Sequence, residues 1–444
     1  MGNSHPGQGI KEGITTKRLC TQVAVVGGGS GGFAAAYTLA KRGVRTILIE
    51  KNPGLGGTSV YGGVNCWEPG VASGEIHRIL RDKLMEIPDA CAVCKSVSAA
   101  GYPWGLSVPA PEATYEDTLK RCPALVTIPE LKRFQFEPEA MNSVMQGLLA
   151  EYPDTVSVML ETEYCSCTTE DGKVRSVVVR NATDEYEIFA DYFVDSTGDI
   201  YLARDAGCEA VIGRESAEAY HEPSARERDA SAINGVTYVF RIRKTDDPTH
   251  VDPYVEDENA LPPRSHVATC FNVYPNGEIN MNMLPTLTGK EYLELGDRAD
   301  MVGRATARRY WHYLQTHYGV TGYTLLYLFP MPGIREGYRL VGKYVLTEHD
   351  LLVDAAENRF GDQTATIADH ARDRHEETGN CQDVPTPYAI PIDCARAKEF
   401  SNLYVACRGA SFSSIAASSA RLTRTMIGLG EAVGNNIAKK IQER

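Results

Sequence analysis

Gly27-Gly28-Gly29-Ser30-Gly31-Gly32 and Glu50 are the residues whose types and spacing speak most directly of chemistry. A glycine at position 27 permits a tight turn, Gly29 lets backbone approach a pyrophosphate, and Gly32 lets a helix pack closely on a strand. The first turn of such a helix offers unbonded N–H groups and a positive dipole end, both suited to phosphate oxygens. Glu50 stands 23 residues after Gly27, where a carboxylate can accept hydrogen bonds from ribose hydroxyls. It also repels a 2′-phosphate, which argues against NADP in this half. The set predicts a dinucleotide site.

The elements that must position these residues are legible around them. The apolar run Val23-Ala24-Val25-Val26 precedes the glycines, a helical run Phe33 to Ala40 follows, and Thr46-Ile47-Leu48-Ile49 leads into Glu50. That is a strand–helix–strand unit from about Leu19 to Lys51. A second glycine cluster, Gly54-Leu55-Gly56-Gly57-Thr58-Ser59, comes almost at once, followed by Tyr61 to Gly70. A plain NAD-binding half has no need of it. FAD does, because its diphosphate and ribityl chain pass close to backbone. Asp191 to Asp199 reads as a strand ending in a Thr197-Gly198-Asp199 turn, and Leu403 to Gly409 precedes a helical run from about Arg421.

These blocks resemble the FAD-dependent oxidoreductases with a glutathione-reductase-like flavin domain, in particular the broad family often left without an assigned substrate. The likeness rests on Gly27–Gly32 with Glu50; on Gly56-Gly57-Thr58 with Asn65 and Trp67; on Val194 to Asp199 with Ala206-Gly207; and on Gly333-Ile334-Arg335-Glu336 with 402–434. It implies FAD as cofactor, but not a particular substrate. Carried over position by position, it implies cofactor contacts at Gly27, Gly29, Ser30, Gly31, Gly32, Glu50 and Lys51. It implies further contacts at Gly56, Gly57, Thr58, Val64 and Asn65, at Thr197, Gly198 and Asp199, and at Arg408, Ser419 and Arg421.

Catalytic candidates also come from the resemblance. The Met331 to Arg339 block lies near the flavin ring in the family, so Arg335 can hold a substrate oxygen or stabilise charge; its alternative is an Arg–Glu ion pair in a loop. Arg339 carries the same two readings. His375, beside His370 and Asp373 and ahead of Pro387-Tyr388-Ala389-Ile390-Pro391, can exchange a proton near neutral pH, or it is a surface histidine in a charged run. Arg421 matches an arginine usual at the head of the final helix, which in the family points its positive end at the flavin pyrimidine. Ser411 to Ala420 reads as a loop, and Ser414 stands where relatives often carry His. Trp67 stacks near flavin or is simply buried. Cys66 is expected to be a free thiol.

The chain has 444 residues, 45 basic against 58 acidic, and a net charge of −13, which argues against nucleic acid and anionic membranes as partners. No apolar run approaches the ~20 residues of a membrane span. No signal peptide is visible, and Pro6 breaks a myristoylation pattern, so a cytoplasmic location is expected. The twelve cysteines show no disulfide framework; Cys91-Ala92-Val93-Cys94 reads as reduced thiols on a helical segment. No metal site is expected.

The organisation reads as α/β. A flexible segment, 1–18, precedes a discontinuous Rossmann-like FAD-binding domain made of 19–75, 136–211 and 400–444; 76–135 and 212–399 form an inserted mixed α+β substrate or cap domain. In the middle, a strand Val236 to Phe240, a strand Gly277 to Asn282 and a long helix from about Glu291 to Tyr318 are expected. No second glycine-rich nucleotide loop follows a strand there. The expected activity is hydride transfer between a small organic substrate and flavin N5, with an external electron donor or acceptor and no NAD domain. A carboxylate-reducing or desaturating flavoenzyme and an electron-transfer subunit are the alternatives. A homo-oligomer is compatible with the sequence.

Overall fold

The computed structural model describes residues 16–71, 74–98, 105–120, 132–264, 268–374 and 380–444. β1 (Thr16–Val26) lies at the centre of a seven-stranded sheet, parallel to β2 (Thr46–Ile49) on one side and to Glu185–Asp195 on the other. Val156–Met159 continues the parallel sheet beyond β2, and Leu403–Val405 pairs in parallel with Phe193–Asp195. The other half of the long Glu185–Asp195 strand pairs antiparallel with Lys173–Arg180, which forms a hairpin with Glu163–Glu170. Val23 to Val26 are all buried, as an apolar run covered on both faces requires.

Register brings the functional loops to one edge. Val26, Ile49 and Asp195 stand level, so the glycine turn, Glu50 and the Ser196–Asp199 turn leave the same carboxyl end of the sheet. That end is where open α/β sheets bind ligands. β1 begins at Thr16, and Thr16 to Arg18, assigned from sequence to the head segment, pair with Glu185 to Glu187.

α1 (Ser30–Lys41) packs against the last helix, Thr423–Gln442, with glycine at the crossing. A Cβ on Gly430 would lie 2.1 Å from the Gly31 carbonyl oxygen, and one on Gly434 would lie 2.9 Å from that of Ala35. No larger residue permits that approach of backbones.

A second, eight-stranded sheet runs in the order Tyr323–Leu328, Phe240–Lys244, Ile279–Leu284, Ala268–Val273, Gly105–Pro109, Cys91–Ser98, Lys132–Phe136, Cys66–Trp67. Every neighbouring pair is antiparallel except Ala268–Val273 with Gly105–Pro109. Trp311, Tyr310 and Leu314 of the helix Ala299–His317 share a core with Phe240, Ile242 and Met281 of this sheet.

Several local expectations change. The expected strand Val236 to Phe240 is two: Val236–Thr237 pairs with Gly333–Ile334, and Phe240–Lys244 joins the large sheet. The expected long helix is interrupted between Gly289–Leu295 and Ala299–His317, at Gly296 with φ +52°. Cys91 and Cys94 lie in a strand, three residues apart and so on opposite faces, which separates the thiols. Leu340, Leu346, Leu351, Tyr388 and Ile390, from the segment assigned to the cap, share one buried cluster with Val23 to Val26 and Phe193 of the first sheet. The helix Glu75–Met85 likewise buries Ile76, Leu80 and Leu84 there.

Candidate functional site

Sterics shape the first glycine loop. Gly27 has φ +101°, and a Cβ on it would lie 2.3 Å from the Ser196 carbonyl oxygen. Cβ atoms on Gly31 and Gly32 would lie 2.0 Å from the Ala406 oxygen and 1.9 Å from the Gly27 oxygen. Only Gly29 in the loop faces open space, with nothing within 4 Å of a Cβ. Gly29 is the N-cap of α1, and no side chain caps that end. The result is a cradle of backbone N–H groups with room for a phosphate.

Glu50 closes the cradle's flank. It is buried; Gly28 N donates to Oε2 at 2.6 Å, while Asn52 N and Nδ2 donate to Oε1 at 2.9 and 2.6 Å. Carboxylate oxygens have about four acceptor positions between them, so about one remains for a ribose hydroxyl. Lys51 is exposed just beyond.

The second glycine loop lies on the first. Gly56 N donates to the Gly28 oxygen at 2.9 Å, and a Cβ on Gly57 would lie 3.0 Å from Gly29 Cα. Ser30 Oγ is 3.4 Å from Ser59 Oγ, and Val64 N donates to the Thr58 oxygen. Asn65 is differently employed: its Nδ2 donates to the Phe136 oxygen at 2.8 Å and its Oδ1 accepts from Asn280 Nδ2 at 2.8 Å. Its side chain ties two strands of the second sheet. Trp67 is buried against His77, Phe134 and Phe136, so its role is packing. Burial pushes the Cys66 thiol up.

Asp195 organises the third loop. Its buried carboxylate accepts from Thr197 N at 2.9 Å, Thr197 Oγ1 at 2.8 Å and Ala203 N at 2.9 Å. Burial raises its pKa, and these bonds oppose the rise. Thr197 Oγ1 also accepts from Tyr201 N. Ile200 adopts φ +49°, a left-handed conformation that is rare for a β-branched residue. Arg408 lies over Gly198 and donates to Asp199 Oδ1 at 2.9 Å.

The block from Phe329 to Arg339 joins these loops. Met331 N donates to the Tyr61 oxygen, Gly333 faces Val64, and a Cβ on Gly337 would lie 1.8 Å from Asp199 Oδ1. Arg339 is fully buried: it pairs with Glu336 at 2.5 Å and Glu215 at 2.6 Å, and donates to the Phe412 and Gly213 oxygens. That is the structural reading. Arg335 donates to Thr237 Oγ1 at 2.7 Å and the Gly235 oxygen at 3.1 Å, with no carboxylate in ion-pair range among the described residues. Burial, then the nearby Arg421 charge, push Arg335 down to about 9, and Asp373 works in the opposite direction.

Arg421 Nη2 donates to Asp373 Oδ2 at 3.0 Å. Burial holds His370 low, and its Nδ1 lies 2.7 Å from the Ala371 oxygen. Ser419 Oγ donates to the His370 oxygen and meets Tyr388 Oη at 2.6 Å. Ser414–Ala420, expected as a loop, is a short helix capped by Ser413 Oγ, which accepts from Ala416 N at 3.1 Å. His375 lies outside the described residues. Sequence reasoning gave no role to Asp195 or Thr237, and named Asp373 only as a neighbour of His375. Asp195 carried a signal as the acid closing an apolar strand.

The sequence model of the family described as FAD dependent oxidoreductase matches residues 22–444. A 3-oxosteroid 1-dehydrogenase of Rhodococcus opacus is 50% identical over 46 residues, 10% of this chain and 9% of that protein. A carotenoid phi-ring synthase of Streptomyces griseus is 69% identical over 35 residues, 8% of this chain and 7% of that protein. These two matches span less than a tenth of each relative's length. Among solved structures, a geranylgeranyl bacteriochlorophyll reductase-like protein of Thermoplasma acidophilum is 14% identical, covering 96% of this chain and 80% of that one, at a TM-score of 0.49. A myxobacterial chondrochloren halogenase is 15% identical over 73% of this chain and 66% of that one, at 0.42. Structural likeness at these scores carries no argument. The family match spans nearly the whole chain, and by it the chain belongs to the FAD dependent oxidoreductase family: it is an enzyme whose cofactor is FAD.

Proposed function

We propose that this enzyme moves a hydride between a small organic substrate and FAD, on a flavin domain of the glutathione-reductase type and without a nicotinamide-binding half of its own. One observation carries the second part. Among the described residues, the strands outside the parallel sheet build a mostly antiparallel sheet backed by Ala299–His317, where a nicotinamide-binding half would need a second parallel sheet. Substrate and electron partner would then use the same site by turns.

The cradle at Gly29 and the uncapped start of α1 would hold the pyrophosphate, and Glu50 the adenosine ribose. Backbone at Gly56 and Gly57, with Thr58 and Val64, would line the path toward the ring; Asp199 and Arg408 would lie on the opposite side of that path. When bound, FAD supplies two-electron chemistry. Arg335 and Arg421 would orient the substrate, and Asp373 would aim Arg421. The acidic surface supports a small-molecule partner rather than nucleic acid or membrane. The ten described cysteines are all free, which supports the reducing cytoplasm. Among the described residues, no helix is long and apolar enough to cross a membrane.

The test is anaerobic stopped-flow absorbance of the flavin with a panel of small organic acids, alcohols and enones, against NADH and NADPH. Saturable reduction by an organic compound, with slow unsaturable reduction by nicotinamides, is expected. Arg335→Lys should keep its FAD yet slow that reduction by about tenfold or more, roughly 1.4 kcal/mol in barrier. Saturable, fast reduction by NADH would sink the proposal.

A further inference from the structure

We propose that the second sheet curls around a polar lumen that binds a neutral, hydroxyl-rich substrate; this deepens the flavoenzyme reading above and rests on it. Register sorts the sheet's residues into two faces, because residues directly opposite each other on neighbouring strands point the same way. Phe240, Met281, Phe271 and Leu106 stand in one row, which the helix Ala299–His317 covers. The other face is polar. There Gln135 stands opposite Cys66, Asn272 opposite Ser107, and Asn280 opposite both Asn272 and Arg241.

The polar face of an antiparallel sheet ordinarily looks out on water. This one is shut in: Gln135, Ser107 and Asn280 have no exposed surface. Curvature is the reason. Gln135 Nε2 donates to Ser107 Oγ at 2.5 Å and to Asn272 Oδ1 at 3.3 Å, although Gln135 and Asn272 are three strand steps apart, about 14 Å in a flat sheet. Asn280 Nδ2 donates to Asn65 Oδ1 at 2.8 Å and Arg241 Nη1 to Glu137 Oε2 at 2.7 Å, each across five steps, about 24 Å when flat. The sheet is a half-barrel with its polar face inside.

The chemistry of the lumen selects the ligand. Its charges are matched internally: Arg133 pairs with Glu68 at 2.7 Å, and Arg241 with Glu137 at 2.7 Å and Glu278 at 3.1 Å. An anionic ligand would add a charge with no counterpart. What the fold leaves over is neutral in character. Gln135 Oε1, Asn282 Oδ1 and Arg241 Nη2 are buried with no hydrogen-bond partner, two acceptors and one donor. Such groups are costly to leave unmet, and hydroxyls, which both donate and accept, can meet all three. Asn282 stands opposite Cys270, and Asn282, Cys270 and Cys66 keep some accessible surface, which marks the side from which a ligand enters.

Location ties the lumen to the cofactor. Asn280 Nδ2 also donates to the Gly63 oxygen at 3.3 Å, and Gly63 precedes Val64 on the path assigned to FAD. A ligand in the lumen therefore adjoins that path.

The experiment uses the FAD-loaded protein. Glucose, galactose and myo-inositol are titrated against glucuronate, galacturonate and cyclohexanol, with calorimetry and flavin absorbance as readouts. At least one neutral polyol should bind and perturb the flavin spectrum, its charged or deoxygenated counterpart at least tenfold more weakly. Asn282→Leu removes one unmet acceptor, and Cys270→Phe fills the lumen; each should weaken the polyol tenfold or more with FAD content unchanged. If Cys270→Phe loses its FAD, Asn282→Leu decides. A uronate that binds as tightly as its neutral sugar, no binding of any polyol, heat of binding without a change in the flavin spectrum, or unaltered affinity in Asn282→Leu would overturn it. FAD content on the same samples separates the failures. Wild type without FAD contradicts the parent reading, whereas loaded wild type that ignores polyols contradicts only the lumen.

Discussion

Arg335 and Arg339 are four residues apart, yet Arg339 is held between Glu336 and Glu215 while Arg335 rests on the neutral oxygens of Thr237 and Gly235. Their substitutions should therefore move stability in opposite directions. Arg339→Gln leaves two carboxylates buried without their cation and should cost about 3–5 kcal/mol. Arg335→Gln should stabilise the ligand-free protein slightly. The sign follows from linkage. The folded state holds Arg335 at about 9, well below its ordinary value, so its charge costs stability at every pH below about 9 and the cost is relieved only above it. Urea unfolding of the flavin-free variants at pH 7 checks both; a large loss in Arg335→Gln would make that residue structural.

Gly29 and Gly32 should fail in different ways. Gly29→Val adds its side chain in open space, so the protein should fold, with the cradle filled and FAD lost. Gly32→Ala drives a Cβ to 1.9 Å from the Gly27 oxygen, so it should lower stability by about 1–3 kcal/mol or prevent folding. Circular dichroism together with the flavin-to-protein absorbance ratio distinguishes the cases. Full FAD occupancy in Gly29→Val would move the phosphate loop elsewhere.

Glu50→Ala should do more than weaken ribose binding. It removes the acceptor of Gly28 N and of Asn52, bonds to a charged group worth about 1.5–3 kcal/mol each. Lower thermal stability of the apoprotein and weaker FAD binding should appear together. Glu50→Gln should recover much of the stability and less of the affinity. An apoprotein melting like wild type would mean the carboxylate serves ribose alone.

Glu222 sets a pH dependence. It is buried, accepts from Ser413 Oγ at 2.5 Å and Glu348 N at 2.7 Å, and has its pKa raised by burial first, with Glu215 and Glu348 adding to the rise. A carboxyl raised on folding binds its proton more tightly when folded, so its contribution is favourable at low pH. That contribution declines as pH climbs from the ordinary 4.5 through the raised value. Glu222→Gln should be more resistant to urea than wild type at pH 8, with the gap closing toward pH 4. A pH-independent gap would contradict this.

The first strand–helix–strand unit was legible because its signals are local: an apolar run, glycines at fixed offsets, a helical period and an acid. The contacts that shape the site are not local. Asp373 reaches Arg421 across 48 positions, and Thr237 reaches Arg335 across 98. Nothing in either segment names its partner. The interruption at Gly296 was visible only as a glycine, which a helix can tolerate. Cys91 to Ser98 took strand form because Lys132–Phe136 and Gly105–Pro109 flank it, a preference supplied by neighbours rather than by propensity.

The packing of Gly430 against Gly31 has a consequence for biosynthesis. The phosphate loop is made long before the surface that wedges it, which comes from Ala406 and Thr423–Gln442. On the ribosome the opening unit must wait, with one flank of its helix bare, while almost four hundred further residues are threaded out. The nascent chain should therefore acquire its cofactor only after Thr423–Gln442 has emerged, and a ribosome stalled before position 423 should display a chain that chaperones hold and FAD ignores.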